Sequence, residues 1–322
     1  MSQQSAVILD SLTKVFGRRR KIVAVDNVTL RVEAGQVYGF LGPNGAGKTT
    51  TIRMMLSLMQ PTSGSISLFG KPIHAHHEVL RRVGAHVEGA AFYPYLSGRR
   101  NLEVIGQING YHDSERIDAL LRQVGLDHRA RQKFRGYSLG MKQRLGLAAA
   151  LMNDPALLIM DEPTNGLDPA GIQEMRHFLR ELVTKHGKTV FLSSHLLNEV
   201  EQMCDRVAII NRGVILREGE VKALLQEKPR IRLEAQPIEQ AAALLRPHWP
   251  LEIVNDHLLV EATRGDIPAL LRTLHDNQID IYEVVQQKQS LEEFFLNVTE
   301  GASPDGNLTT APQEQGMLNH VP

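Results

Sequence analysis

Three short stretches hold residue types that do phosphate and metal chemistry. GPNGAGKT, Gly42 to Thr49, matches G-x-x-x-x-G-K-[ST] in full. Glycines let backbone N–H groups wrap phosphate oxygens, and a helix starting there adds its positive end. Lys48 is then a point charge for β- and γ-phosphates, and the Thr49 hydroxyl a Mg²⁺ ligand. LLIMDE, Leu157 to Glu162, is an apolar run ending in two acids. A carboxylate at a strand end can hold Mg²⁺ beside phosphates, a role that falls to Asp161. Glu162 can polarise an attacking water or accept its proton. Neighbouring acids on a strand point to opposite sides, so the two are expected to work separately. SSH, Ser193 to His195, ends another apolar run, where open α/β sheets bind ligands. His195 is therefore expected to face phosphate. A fourth stretch, YSLGMKQR (residues 137–144), reads on its own as a helix start with Ser138 as N-cap.

The surrounding pattern predicts elements that bring these stretches to one edge. Residues 5–40 alternate apolar and polar, as antiparallel strands leading into a buried strand, Val37–Leu41. The glycine loop follows, then a helix from Lys48 to about Met59, ended by Gln60-Pro61. Residues 98–152 read as mostly helical, before the buried strand ALLIMDEP. The next helix has Asp168 as N-cap, Pro169 at its first position and Gly187 at its end. TVFLSS is a strand, HLLNEVEQMC a helix, and VAIINRGVILREG a hairpin turning at Asn211–Gly213. The pattern changes near Glu227-Lys228-Pro229. Beyond it a small α+β unit is expected, then a last helix with a capping box, Ser290 with Glu293. From Gly301 onward the composition is that of a disordered tail.

Bulk properties narrow the function class. Hydrophobic residues are 42% and charged residues 22% of 322, ordinary for a globular protein. Lys+Arg and Asp+Glu are both 36, so the chain is net neutral, which argues against coating nucleic acid or an anionic membrane. Cys204 is the single cysteine and cannot form an internal disulfide, which fits a reducing setting. No run approaches the ~20 apolar residues that span a bilayer, and MSQQSAVILD lacks the pattern of a signal peptide. A membrane role therefore requires another chain to supply the membrane part.

Taken together, these residues resemble the ATP-binding cassette family of transport ATPases, from residue 5 to about 225. That family's signature is LSGGQ followed by a basic-Gln-Arg stretch. YSLGMKQR keeps Ser138 and Gly140, while Tyr137, Leu139 and Met141 replace Leu, Gly and Gln. TNGLDP, Thr164 to Pro169, matches the loop after the tandem acids. Phe16 resembles the aromatic that stacks on adenine. Glu88 aligns with a Gln that approaches Mg²⁺ and the attacking water, and AFYPYLSGRRNL beyond it corresponds to the face toward a membrane partner. Glu88, YSLGM, the separate membrane half and the C-terminal unit look most like the drug- and antibiotic-export branch, such as the bacitracin and daunorubicin resistance ATPases.

The resemblance implies an α/β fold: a P-loop NTPase cassette (5–225) with an antiparallel β subdomain and a helical subdomain (about 98–152). A small C-terminal α+β unit (229–300) and a tail (301–322) would follow. It implies ATP and Mg²⁺ as ligands. Gly42, Pro43, Asn44, Gly45, Ala46, Gly47, Lys48, Thr49, Thr50 and Phe16 would bind one nucleotide. Ser138 and Gly140 would come from a second copy or a paired cassette. Glu162, His195 and Glu88 would carry catalysis, with Thr49, Asp161 and Glu88 around the metal. Separate permease subunits would hold the dimer at the cytoplasmic face of the membrane, with no direct nucleic-acid partner. Two alternatives stay open: an importer ATPase with a regulatory C-terminal unit, and a soluble relative acting on nucleic acid or ribosomes. His74, His76 and His77 are expected in a solvated loop, Arg18–Lys21 at an exposed hairpin tip, Cys204 in buried packing, and Phe294 and Phe295 sealing the C-terminal unit.

Overall fold

The computed structural model describes residues 5–17, 19–87, 92–110, 113–225, 230–287, 291, 292 and 295. Glu88, Ser290, Glu293, Phe294, Arg18 and the tail 301–322 lie outside the described residues.

The strands, in chain order, are β1 (Ser5–Phe16), β2 (Ile22–Glu33), β3 (Val37–Leu41), β4 (Ser63–Leu68), β5 (Lys71–Pro72), β6 (Val83–His86), β7 (Leu157–Asp161), β8 (Thr189–Ser194), β9 (Arg206–Asn211), β10 (Val214–Glu220), β11 (Arg230–Gln236), β12 (Leu251–Val254), β13 (His257–Glu261) and β14 (Asp280–Gln287). The helices are α1 (Lys48–Met55), α2 (Gly98–Ile108), α3 (Ser114–Gln123), α4 (Leu139–Ala150), α5 (Pro169–Thr184), α6 (Leu197–Met203), α7 (Val221–Leu224), α8 (Ile238–Leu245) and α9 (Ile267–Asp276).

Among the described residues the strands form three sheets. One is antiparallel, in the order β2-β1-β4-β5. The second has the order β10-β9-β3-β8-β7-β6, parallel except for β10. Its central strands VYGFL, LLIMD and TVFLSS are buried along their whole length, as continuous apolar runs in parallel sheets are. The two faces feed different cores. Tyr38, Phe40, Ile159 and Phe191 pack with α1 and the antiparallel sheet. Leu41, Leu158, Met160 and Leu192 pack with residues of α3, α4 and α5. Each fully buried side chain of this kind contributes roughly 1.5–3 kcal/mol. The third sheet, β12-β13-β11-β14, is antiparallel and shares its own core with α8 and α9, Leu233, Leu245, Leu258 and Leu274 included.

The cassette fold with its antiparallel sheet and helical segment is as expected, and three local details differ. Helix α1 stops at Met55, four residues before Met59. Ser57 adopts φ 57°, its N–H bonds Met54 O, and the Leu58 N–H reaches back to Arg53 O. That is a Schellman closure on a serine, so no glycine announces the end. Glu162 is not on a strand: β7 ends at Asp161, and Glu162 turns left-handed at φ 51°. Strand alternation therefore does not separate the two acids. Finally, Phe295 packs against the cassette core rather than the C-terminal one, and Leu291 is fully buried there. The Leu291 N–H donates to Glu201 Oε2 of α6 at 3.1 Å. Leu291 and Phe295 join the cluster that also holds the half-buried Leu197 of α6, and α6 supplies the acceptor for the Leu291 N–H.

Candidate functional site

Strand order brings the chemistry together. β3, β8 and β7 are neighbours, with Leu41 level with Ser194 and Asp161 level with Ser193. Their carboxyl ends therefore release the glycine loop, the SSH stretch and the acid pair side by side, where such sheets bind ligands.

The loop is shaped by its own sequence. Gly47 has φ 108°, and a Cβ there would fall 2.5 Å from Ala24 O of β2. Only glycine fits that approach, and it caps α1 without a side chain, leaving the first-turn N–H groups to a ligand. Pro43, Asn44 and Gly45 are exposed, Ala46 is buried, and Thr49 and Thr50 are half-buried on the first turn of α1. Lys48 is buried, and its Nζ donates to Gly42 O at 2.6 Å and Pro43 O at 3.3 Å. The same Nζ lies 3.1 Å from Glu162 Oε1.

Glu162 is the hub. Its other carboxylate oxygen, Oε2, lies 2.7 Å from His195 Nδ1. A carboxylate only accepts, so Nδ1 carries the proton and Nε2 is the ring nitrogen left for a ligand. The left-handed backbone at Glu162 swings its carboxylate to Lys48 and His195 and costs roughly 1–2 kcal/mol. Asp161 sits beside it, buried. Its Oδ1 accepts from the Ser193 hydroxyl, and its Oδ2 is buried without a partner. Strand pairing thus brings Lys48, Asp161, Glu162 and His195 together, 147 residues apart at the extremes, from Lys48 to His195, with Glu162 ion-paired to Lys48 and bonded to His195. Within SSH, Ser193 has no role of its own at the sequence level. Its signal was a pair of hydroxyls, Ser193 and Ser194, both buried at the end of an apolar strand.

The other expected residues lie elsewhere. Phe16 ends β1 opposite Ile22, is 38% exposed, and has the Lys14 ammonium 5.4 Å from its ring centre. That leaves a ring face available for stacking. Ser138 caps α4, accepting from the Met141 N–H at 3.3 Å. No hydrogen bond joins Ser138 or Gly140 to the phosphate loop among the described residues. Instead, both line a groove of about 1000 Å³ with Gly166, Leu167 and Asp168, the loop that leaves the acid pair. Gly166 has φ 73°, and a Cβ there would meet the Leu139 side chain at 2.5 Å. The departure from the family pattern at Leu139 is accommodated by that glycine. Near the expected Glu88 position, His86 is bonded through Nε2 to Gln143 of α4, and burial holds its pKa below the usual imidazole value. This bond ties the strand leading toward Glu88 to the helix that Ser138 caps.

Of the discounted features, His76 pairs with Glu78 at 3.2 Å and Cys204 is buried, its thiol pKa pushed up by that burial. Arg19, Arg20 and Lys21 are exposed.

Comparison with known proteins bears on the family and the fold. A family model described as ABC transporter matches residues 25–165. The chain is 42% identical over 299 residues to the bacitracin transport ATP-binding protein BcrA of Bacillus licheniformis, covering 91% of this chain and 96% of that one. It is 35% identical over 308 residues to the daunorubicin resistance ATP-binding protein DrrA3 of Streptomyces coeruleorubidus, covering 92% and 96%. Among solved structures, a Clostridium perfringens protein that is part of an ABC transporter complex superposes with a TM-score of 0.62 at 25% identity, over 70% of this chain and 92% of that one. A dimeric ATP-binding cassette in a post-hydrolysis state, bound to ADP and Pi, gives 0.60 at 26% identity, over 67% and 98%.

Proposed function

We propose, from the premise that this chain belongs to the ABC transporter ATP-binding proteins, that it is the ATP-hydrolysing subunit of an exporter for drug, antibiotic or lipid-like cargo. The observation that carries the site assignment is the convergence of Lys48, Asp161, Glu162 and His195 at the ends of three adjacent strands.

Phosphates lie in the loop Gly42–Gly47, against its N–H groups and the first turn of α1. Lys48 exchanges its loop carbonyls and Glu162 for β- and γ-phosphate oxygens. Phe16 stacks on the adenine. Glu162, freed from Lys48, orients the attacking water and takes its proton as the bond to the leaving ADP oxygen breaks. His195, held through Nδ1, turns Nε2 toward the γ-phosphate and donates to it when that nitrogen also carries a proton. A Mg²⁺ ion fits the donor set, because Thr49 and Asp161 offer oxygens and Asp161 Oδ2 is buried without a partner, with Glu88, outside the described residues, as the further donor the resemblance implies. When bound, the ion neutralises charge on the β- and γ-phosphates.

Ser138 and Gly140 serve the nucleotide of a second cassette. Two ATPs then join two subunits head to tail, and hydrolysis releases them, one state being favoured by the bound ligand. Among the described residues no helix is long and apolar enough to cross a membrane. The exposed Tyr93, Tyr95 and Ile108 fit the face toward separate permease subunits, at the cytoplasmic side of the membrane. The test is Ser138→Arg. ATP binding by the single subunit stays at the parent level, and the ATP-dependent dimer is lost in light scattering. A dimer that forms normally removes Ser138 from the shared site.

A further inference from the structure

We propose that Ser193 is a positioning residue that sets both tandem acids at once. It is the last but one residue of β8 and fully buried. In the parallel register it stands directly beside Asp161. Its hydroxyl has one proton and two acceptor sites. The proton goes to Asp161 Oδ1. An acceptor site takes the Glu162 N–H at 3.0 Å. One oxygen atom therefore touches the side chain of the first acid and the backbone of the second.

Two consequences follow from those bonds. Tying up Oδ1 fixes the rotation of the Asp161 carboxylate, so Oδ2 is the oxygen left free for a cation. Anchoring the Glu162 N–H holds that residue in its left-handed turn, φ 51°, which a side chain adopts only when its surroundings demand it. The same strand end then receives the Glu162 carboxylate at His195. Ser193 does not touch nucleotide. It acts through Asp161 and Glu162, and the inference rests on the metal and water roles proposed for them.

A merely structural hydroxyl would stabilise the strand ends and nothing else. The two roles separate in the contribution of Mg²⁺ to nucleotide binding. For the full chain, affinity for a fluorescent ATP analogue is measured with Mg²⁺ and with EDTA, beside thermal melting. The ratio of the two affinities isolates the metal. In Ser193→Ala the EDTA affinity matches the parent, and the ratio falls about tenfold to a hundredfold, the weight of one hydrogen bond to a charged group. Ser193→Thr, which keeps the hydroxyl, returns the ratio to the parent value, whereas Ser193→Val does not. Should the alanine variant not fold, Ser193→Cys takes its place, its thiol being a weak donor. A parental ratio in Ser193→Ala, or a threonine variant as poor as valine, overturns the inference. Asp161→Asn is the control. If it too keeps the parental ratio, the metal role of Asp161 is what fails; if it alone lowers the ratio, only the role of Ser193 fails.

Discussion

Replacing Glu162 by Gln removes one negative charge and keeps the shape of the side chain. The structure and the proposed function each make one demand on that charge. In one, Glu162 holds Lys48 at 3.1 Å, with both groups largely buried. At an effective dielectric of about 20 the gross attraction at that distance is about 5 kcal/mol, an upper bound because desolvation of both groups opposes it. ATP must break this pair to reach Lys48, so the glutamine variant binds ATP at least as tightly as the parent. Lys48 keeps Gly42 O and Pro43 O in the variant, so it stays in place. In the other demand, Glu162 is the acceptor for the proton of the attacking water. Losing a positioned general base costs about 10²–10⁴ in rate, or roughly 2.7–5.5 kcal/mol of barrier. Tighter binding and slow hydrolysis together predict a long-lived ATP-bound dimer. Phosphate release and size-exclusion chromatography with ATP report the two arms. Turnover within about tenfold of the parent refutes the general-base role. ATP binding weaker than the parent refutes the claim that Glu162 competes with phosphate for Lys48.

Lys48→Ala removes the buried ammonium at the loop, and equilibrium binding of a fluorescent ATP analogue is expected to weaken at least tenfold; unchanged affinity contradicts the phosphate-loop assignment. Leu291→Asp places an unpaired charge among Leu197, Phe295 and the rest of the cassette core, for a loss of about 3 kcal/mol or more. In calorimetry the cassette transition then falls by roughly 6–12 °C, and an unchanged transition means that the contact with α6 carries no stability.

The fold was legible wherever local signals decided it. β3 and β7 were expected where they lie, because a short apolar run ending at a glycine or an acid admits little else. α5 was legible from its ends, since Asp168 accepts from the Gly171 N–H and Pro169 occupies the first turn. The hairpin between β9 and β10 followed from Asn211–Gly213, where Arg212 and Gly213 both take positive φ. The C-terminal unit was expected as α+β, and β11 to β14 with α8 and α9 form one around a core of their own. α1 failed for the opposite reason. Pro61 signals a stop, yet a serine in a left-handed turn closes the helix first, and nothing in the residue type of Ser57 requires that. Phe295 was misplaced because an amphipathic end does not say which of two cores it covers.

The candidate site divides along the same line. Lys48, Thr49, Asp161 and His195 were legible because each stands at a fixed offset within a local motif. What the motifs do not contain is the relation between them. Glu162 was expected to face away from Asp161 by strand alternation, yet the strand stops one residue earlier and its carboxylate turns to Lys48 and His195. That turn is left-handed at a residue with a full side chain, so it has to be held from outside. The holder is the hydroxyl of Ser193, on a strand 31 residues away that becomes its neighbour only when β7 and β8 pair. A site of this kind is written half in motifs and half in strand order. The first half names the acids, and only the second decides which way they point.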